Sequence, residues 1–147
     1  MESMIESLPL LTPYQPSFIW LLVLCLVVLV QSFLAGILGF ASGDEVPGLP
    51  LKGSHGDKSF RVLRTYANST ENFSIFVSTT ILAILAGVDV MIVNWLVGLH
   101  VALRIVYCVV YYSGVGKVAG GPRTFTYVAA FLMNVILAVV TAYTMLT

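Results

Sequence analysis

Residues 17–40 read SFIWLLVLCLVVLVQSFLAGILGF, a stretch of 24 residues that contains no charged side chain. About 20 apolar residues in a helix are enough to cross the hydrocarbon core of a bilayer, so this stretch predicts a transmembrane helix. The whole chain shares its character, because 59% of the 147 residues are hydrophobic and only 10% are charged. A soluble domain is about one quarter charged. The chain is therefore predicted to be an integral membrane protein with room for four spanning helices.

Three more apolar segments follow the first, separated by stretches rich in glycine, proline and charge. They predict an all-α fold, a bundle of four transmembrane helices in a single domain over residues 1–147. The predicted helices cover about residues 17–40, 60–88, 90–113 and 123–146, with loops at 41–59 and 114–122. Gly87 and Asp89 predict a tight turn between the second and third helices, in which the glycine ends one helix and the aspartate caps the next. Pro122 suits the first turn of the fourth helix.

The basic side chains are unevenly distributed. Seven basic and seven acidic residues give a net charge of zero, which argues against the broad basic surface of a nucleic-acid-binding protein. In the four-helix topology all the basic residues fall toward one side of the membrane: Lys52, Lys58, Arg61, Arg64, Arg104, Lys117 and Arg123. The positive-inside rule predicts that this side is cytosolic and that both termini are lumenal or periplasmic. A bacterial inner membrane and the endoplasmic reticulum fit equally well.

Signals for targeting, disulfides and metals are weak. Glu2 and Glu6 stand where a signal peptide would have basic residues, which argues against a cleaved leader. Cys25 and Cys108 lie inside apolar runs, as buried cysteines do, so no disulfide is predicted. His55 and His100 have no suitably spaced partners, so no metal site is predicted.

Two polar stripes interrupt the apolar helices. Residues that share one face of the second helix are Arg61, Arg64, Asn68, Glu71 and Asn72, and those that share one face of the third are His100, Arg104, Tyr107 and Tyr111. At 1.5 Å per residue, Glu71 lies about 15 Å from Arg61, and Arg104 lies about 13 Å from the end of the third helix. The two charges therefore share a depth in the membrane. The sequence predicts an ion pair between Glu71 and Arg104, or a ligand that both residues bind.

The positions of Glu71 and Arg104 within the membrane are energetically unfavourable for charged side chains. A charge at mid-helix costs about 2.5 to 3.5 kcal/mol on insertion scales, so such residues face a bundle interior or a watered cavity. Glu71 and Arg104 could simply join two helices while the other basic residues lie at lipid headgroups. The excess of cations, tyrosines and amides favours instead a ligand with more negative than positive charge and several hydrogen-bonding groups. Glutathione, with its carboxylates, ammonium, amides and thiol, fits this description.

Three sequence blocks carry a family resemblance. The run RVLRTYANSTENF at 61–73 resembles the signature of the MAPEG family, the membrane-associated proteins of eicosanoid and glutathione metabolism. Its Arg-x-x-x-Asn-x-x-Glu core is intact as Arg64, Asn68 and Glu71. The run RIVYCVVY at 104–111 resembles the second block of the family, and RTFTY at 123–127 resembles the third. The resemblance extends from about residue 17 over the rest of the chain.

The resemblance implies a homotrimer that binds glutathione between neighbouring protomers at the cytosolic end. The residues expected to bind glutathione, from the two stripes and the third block, are Arg61, Arg64, Asn68, Glu71, Asn72, Arg104, Tyr107, Tyr111 and Tyr127. Arg123 corresponds to the catalytic arginine of the family, with Tyr111 as the second catalytic residue. The cation would stabilise the glutathione thiolate, which is the nucleophile. Because the loop before Arg123 is glycine-rich and longer than in the eicosanoid-synthase branch, Lys117 is the alternative cation.

The predicted function is that of a membrane-bound glutathione transferase. Its partners would be glutathione as co-substrate, a lipophilic electrophile or lipid hydroperoxide, membrane lipid and further copies of the chain, with neither metal nor nucleic acid. The alternative is a non-catalytic protein of the same fold that binds lipid and presents it to a partner. A small transporter is a weaker third hypothesis, since charges within the membrane also mark ion pathways.

Overall fold

The structure, a computed structural model, describes residues 9–42, 53–117 and 120–147, with side chains for all of them except 40–42. These residues form four long α-helices and a short 3-10 turn, Thr12–Tyr14, which confirms the predicted all-α fold of four helices. The helices are α1 (Gln15–Ser42), α2 (Lys58–Leu85), α3 (Val90–Ser113) and α4 (Pro122–Leu146). Residues 43–52 and 118–119 of the predicted loops, Lys52 among them, lie outside the described residues, as do residues 1–8.

The helices alternate in direction. The side chains of Ser17 and Asn94 form a hydrogen bond, and so do those of Gln31 and Cys108. Both pairs follow the same order along the chain, so α1 and α3 run parallel. The helix α2 runs antiparallel to α3, because Asn68 contacts Arg104 whereas Phe76 contacts His100. The helix α4 also runs antiparallel to α3. The result is an up-down-up-down bundle. We call the end where α1 and α3 finish and α2 and α4 begin the basic end, since the basic residues of the described segments are concentrated toward it.

Three of the described helices are long and apolar enough to cross a membrane. They are the segment Thr12–Gly39 and the helices α3 and α4. Many large apolar side chains on them are exposed in the single chain, as expected for surfaces that face lipid. The helix α2 has 28 residues, which is enough length, but its polar first half keeps it out of this group. That polar half carries the family signature.

The turn between α2 and α3 is formed as the sequence predicts. Gly87 has a φ of +75°, in the left-handed region that glycine adopts without strain. The Asp89 carboxylate then accepts hydrogen bonds from the backbone N–H groups of Met91 and Ile92, at 3.0 and 3.1 Å. This side chain satisfies two of the free donors at the start of α3.

The core is formed by side chains of all four helices and of the 3-10 turn, and a stacked histidine lies beside it. Phe76, Val97 and Leu137 are fully buried there. The His100 ring stacks on that of Phe76 at a centroid distance of 3.7 Å. Its Nδ1 donates to the Ala130 carbonyl oxygen at 2.9 Å, since a carbonyl can only accept. This histidine of the α3 stripe therefore joins three helices.

Removal of the α3 cap tests the hairpin. We expect Asp89→Ala to lower the free energy of unfolding by about 1 kcal/mol, the usual cost of losing an N-cap side chain. Unfolding in detergent micelles measures it. Asp89→Asn removes the charge but retains the cap oxygen, so it should lose only a fraction of this. Equal losses in both variants would show that the charge, and not the cap, stabilises the turn.

Candidate functional site

A cationic and an aromatic side chain meet at the basic end. Arg123, in the first turn of α4, is only 4% exposed, and its guanidinium carbon lies 5.0 Å from the centre of the Tyr111 ring on α3. Its Nη2 donates to the Gly116 carbonyl at 3.3 Å. Its Nε is buried and has no hydrogen-bond partner among the described residues. Two residues that the sequence proposes as catalytic are thus brought together, and the cation retains a free donor.

The turn before α2 covers this pair. Nδ1 of His55 lies 3.0 Å from the Tyr111 hydroxyl and 3.5 Å from Nη1 of Arg123. The imidazole ring is half-buried and meets the Phe60 ring edge-on at 5.1 Å. From the sequence, His55 is a candidate only for metal binding, and this role is not predicted. The one indication of this role in the sequence is the position of His55, three residues before the start of α2.

The turn that carries His55 is a compact unit. The Asp57 carboxylate accepts from both the backbone N–H and the hydroxyl of Ser54, and the Asp57 N–H donates to the Ser54 carbonyl. Arg61 fastens this turn to α2, since its Nη1 donates to the carbonyls of His55 and Gly56 at 3.0 and 2.8 Å. The turn is therefore held by hydrogen bonds between Ser54 and Asp57 and by the hydrogen bonds that Arg61 donates to its backbone.

Arg61 also packs beneath the end of α3. A Cβ placed on Gly114 would lie 3.0 Å from the Arg61 guanidinium carbon, and Gly114 has a φ of +72°. Glycine at this position thus permits both the left-handed helix end and the close approach of the guanidinium. Arg61, predicted to bind glutathione, is placed by the structure in the support of the His55 turn.

A buried arginine joins α2 to α3 below this pair. Arg104 is 3% exposed, and it donates from Nη1 to Oδ1 of Asn68 at 2.8 Å and from Nη2 to the hydroxyl of Ser69 at 3.2 Å. Its guanidinium carbon lies 4.9 Å from the centre of the Tyr107 ring, within range of a cation–π contact. The predicted common depth of the two stripes is therefore confirmed. Ser69 lies outside the predicted stripe, and only its place next to Asn68 could have indicated it.

The predicted ion pair between Glu71 and Arg104 is not formed. Glu71 instead contacts Arg64 on its own helix, with Oε1 3.6 Å from Nη1. Both side chains are exposed in the single chain, Glu71 at 56% and Arg64 at 44%. At 100° per residue, Arg64 and Glu71 lie only about 20° apart around α2 but about 40° to 60° from Asn68. The stripe is thus divided, and its outer edge faces away from α3.

The remaining predicted residues have separate places. Asn72 donates to the carbonyl of Asn68 on its own helix at 2.8 Å. Tyr107 lies between two aromatic neighbours, with centroid distances of 5.4 Å to Tyr111 and 6.1 Å to Tyr127. Lys117 is exposed, and among the described residues it makes no hydrogen bond or ion pair.

Metal ligands do not cluster in the part of the chain that the structure describes. No group of three or more His, Cys, Asp or Glu side chains there is arranged to hold a metal ion. The described cysteines, Cys25 and Cys108, are both free thiols.

Three apolar helices of membrane-spanning length define a multi-pass membrane protein. The sequence profile of the MAPEG family matches residues 17–143. The chain therefore belongs to the MAPEG family, whose members include glutathione transferases and eicosanoid enzymes. No curated protein sequence matches the chain.

The Arg104 contacts predict a structural role that is independent of any ligand. We expect Arg104→Ala to lower the free energy of unfolding of the ligand-free protein by at least about 2 kcal/mol, since hydrogen bonds to charged groups contribute about 1.5 to 3 kcal/mol each. A double-mutant cycle with Asn68→Ala measures their coupling in detergent micelles. The control is Arg64→Ala, whose exposed ion pair contributes at most about 1 kcal/mol. Additive losses from Arg104→Ala and Asn68→Ala would contradict the coupling.

Proposed function

We propose that the protein is a membrane-bound glutathione transferase that activates the thiol of glutathione at the basic end of the bundle. The observation that carries this proposal is the buried Arg123 guanidinium over the Tyr111 ring, with Nε of the arginine unpaired among the described residues. A thiolate is the reactive form of glutathione, and a nearby cation lowers the pKa of a thiol. A buried donor without a partner is costly, and an anionic sulfur would satisfy it.

Two donors of this kind suit a thiolate. The guanidinium supplies positive charge and N–H groups in a fixed plane, and the tyrosine hydroxyl supplies one further hydrogen bond. Both groups are buried, where electrostatic interactions are stronger than in water. Together they would stabilise the developing negative charge on sulfur more than the neutral thiol, which is what acceleration of the reaction requires.

The rest of the peptide needs charged contacts at a distance from the sulfur. Glu71 would neutralise the ammonium of the γ-glutamyl group, and Arg64 would bind a carboxylate through its planar fork. Both side chains point away from the body of the single chain. A neighbouring protomer that covers this edge of α2 would enclose them, so we propose glutathione binding between protomers of a homotrimer. Tyr107, Tyr127 and Asn72 would complete the polar lining.

The electrophile would come from the bilayer. The apolar outer faces of α1, α3 and α4 are exposed in the single chain and would lie against lipid. A lipophilic electrophile or a lipid hydroperoxide dissolved there could reach the sulfur laterally, without passing through water. Both conjugation and hydroperoxide reduction are compatible with one thiolate-stabilising site.

The lipid-binding alternative has one observation in its favour. A cavity of about 320 Å³ lies between α1 and α3, and its lining includes Val27, Val30, Leu34 and Tyr112. Its apolar walls suit an acyl chain. A protein that binds lipid here without chemistry would bind glutathione weakly or form no thiolate.

Binding and activation of glutathione can be tested separately. For Glu71→Gln we expect glutathione to bind at least about tenfold more weakly, equivalent to about 1.4 kcal/mol, because the ammonium loses its charged partner. Thermal stabilisation of the detergent-solubilised protein by glutathione measures this. The control, Asp89→Asn, removes a carboxylate at the other end of the bundle and should leave the stabilisation unchanged. Equal stabilisation of the parent and Glu71→Gln would argue against the assignment of Glu71.

Arg123→Ala tests the activation step. We expect this variant to bind glutathione but to lose the ultraviolet absorbance of the bound thiolate, and with it turnover of an aryl halide. Lys58→Ala, which removes an exposed cation from the same end, is the matched control and should retain both. Persistence of the absorbance in Arg123→Ala together with its loss in Lys117→Ala would transfer the role to the lysine. A parent protein that neither binds glutathione nor forms the thiolate would overturn the proposed function.

A further inference from the structure

The turn before α2 places an imidazole where the proposed chemistry needs a proton acceptor. Nδ1 of His55 is within reach of the Tyr111 hydroxyl at 3.0 Å and of Nη1 of Arg123 at 3.5 Å. A guanidinium has N–H donors and no acceptor. In a hydrogen bond with Arg123, Nδ1 is the acceptor, which corresponds to the tautomer with the ring proton on Nε2. The Tyr111 hydroxyl, facing the same lone pair, is then also a donor.

The two donors converge on Nδ1 of His55, the acceptor that a sulfur anion would replace. The proposed thiolate requires the Arg123 guanidinium and the Tyr111 hydroxyl as its hydrogen-bond donors, and in the ligand-free chain both point at Nδ1 of His55. A thiol that enters between them meets this nitrogen within hydrogen-bonding reach. In the ligand-free chain the histidine is thus the hydrogen-bond acceptor of both donors, and a thiolate would replace it as the stronger acceptor.

We propose that His55 is the base that takes the proton from the glutathione thiol, an inference that rests on the proposed function. The S–H bond breaks, its electron pair stays on sulfur, and a new N–H bond forms at Nδ1. The Arg123 and Tyr111 donors pass from the nitrogen to the thiolate. The imidazolium then releases its Nε2 proton to water, which restores the neutral ring with its proton on Nδ1, and exchange with water returns the starting tautomer.

The surroundings of His55 support such an exchange. His55 is half-buried, so the residue is not sealed from solvent while its Nδ1 contacts Tyr111 and Arg123. Phe60 contacts it edge-on from α2, and Tyr111 and Arg123 contact it from α3 and α4. The carboxylate of the same turn, on Asp57, is bonded to Ser54. In the described residues the imidazole thus has a hydroxyl and a guanidinium as polar neighbours, and no carboxylate pairs with it.

Arg61 gives the base its position. Because Arg61 donates to the carbonyls of His55 and Gly56, the backbone that carries the imidazole is held against α2. Arg61 is in this sense a positioning residue for His55.

Two substitutions separate a base from a simple hydrogen-bond acceptor. In His55→Gln the amide oxygen can still accept from Tyr111 and Arg123 but cannot take a proton, whereas His55→Ala removes both functions. We expect both variants to form the thiolate at least about tenfold more slowly than the parent, since a general base contributes about 10²- to 10⁴-fold. Stopped-flow absorbance of the thiolate after mixing with glutathione gives the rate.

Free imidazole supplies the decisive readout. Added imidazole should speed thiolate formation in His55→Ala in proportion to its concentration and leave the parent unchanged. A His55→Gln protein as fast as the parent, or a His55→Ala protein that imidazole does not accelerate, would overturn the proposal. Thermal unfolding and equilibrium glutathione binding of each variant check its fold. If the parent forms no thiolate, the proposed function fails. If the parent and both variants form it equally fast, the role of His55 alone fails.

Discussion

The buried guanidinium of Arg104 sets the constraint on which the bundle depends. A cation at this depth is stable only when its N–H groups are paired, and Asn68 and Ser69 of α2 provide the acceptors. This pairing fixes α2 against α3 at the level of Asn68. The stack of Phe76 on His100 fixes the same two helices at a second level, about two turns further along α2. Once α2 is held in this way, its rotation determines which polar side chains remain free. The inner edge of the stripe pairs with α3, and the outer edge, with Arg64 and Glu71, stays exposed in the single chain.

The site at the basic end has a different construction. Arg123 and Tyr111 come from the ends of two helices, and His55 comes from a short turn, so each is presented by backbone outside the packed core. Two helix ends set the distance between the cation and the aromatic ring, and a separate turn supplies the imidazole. This separate origin fits the proposed division between stabilising the thiolate and taking the proton.

Much of the fold could be predicted from the sequence, because hydropathy and helix-capping residues act locally. The Gly87–Asp89 turn and the start of α4 at Pro122 follow from backbone preferences that neighbours do not override. Spacing also found the two polar stripes and their common depth. It could not decide which edge of the α2 stripe packs, since Asn68 and Glu71 differ by only about 60° around the helix. For this reason the prediction of an ion pair between Glu71 and Arg104 is wrong. His55 could not be found by periodicity, because its place depends on a loop that folds back over two helix ends.

The parallel pair of helices has a consequence for how the molecule responds to a ligand. Ser17 bonds Asn94 and Gln31 bonds Cys108, and in both pairs the partners are 77 positions apart in the chain. A constant offset at two levels means that α1 and α3 share one register along their length, with polar contacts that a sliding movement would break at both places together. Axial displacement of these helices is therefore opposed at two points, whereas rotation of a single side chain in the turn before α2 breaks none of these bonds. The helices α1 and α3 are therefore expected to keep their relative axial position when a ligand binds at the basic end.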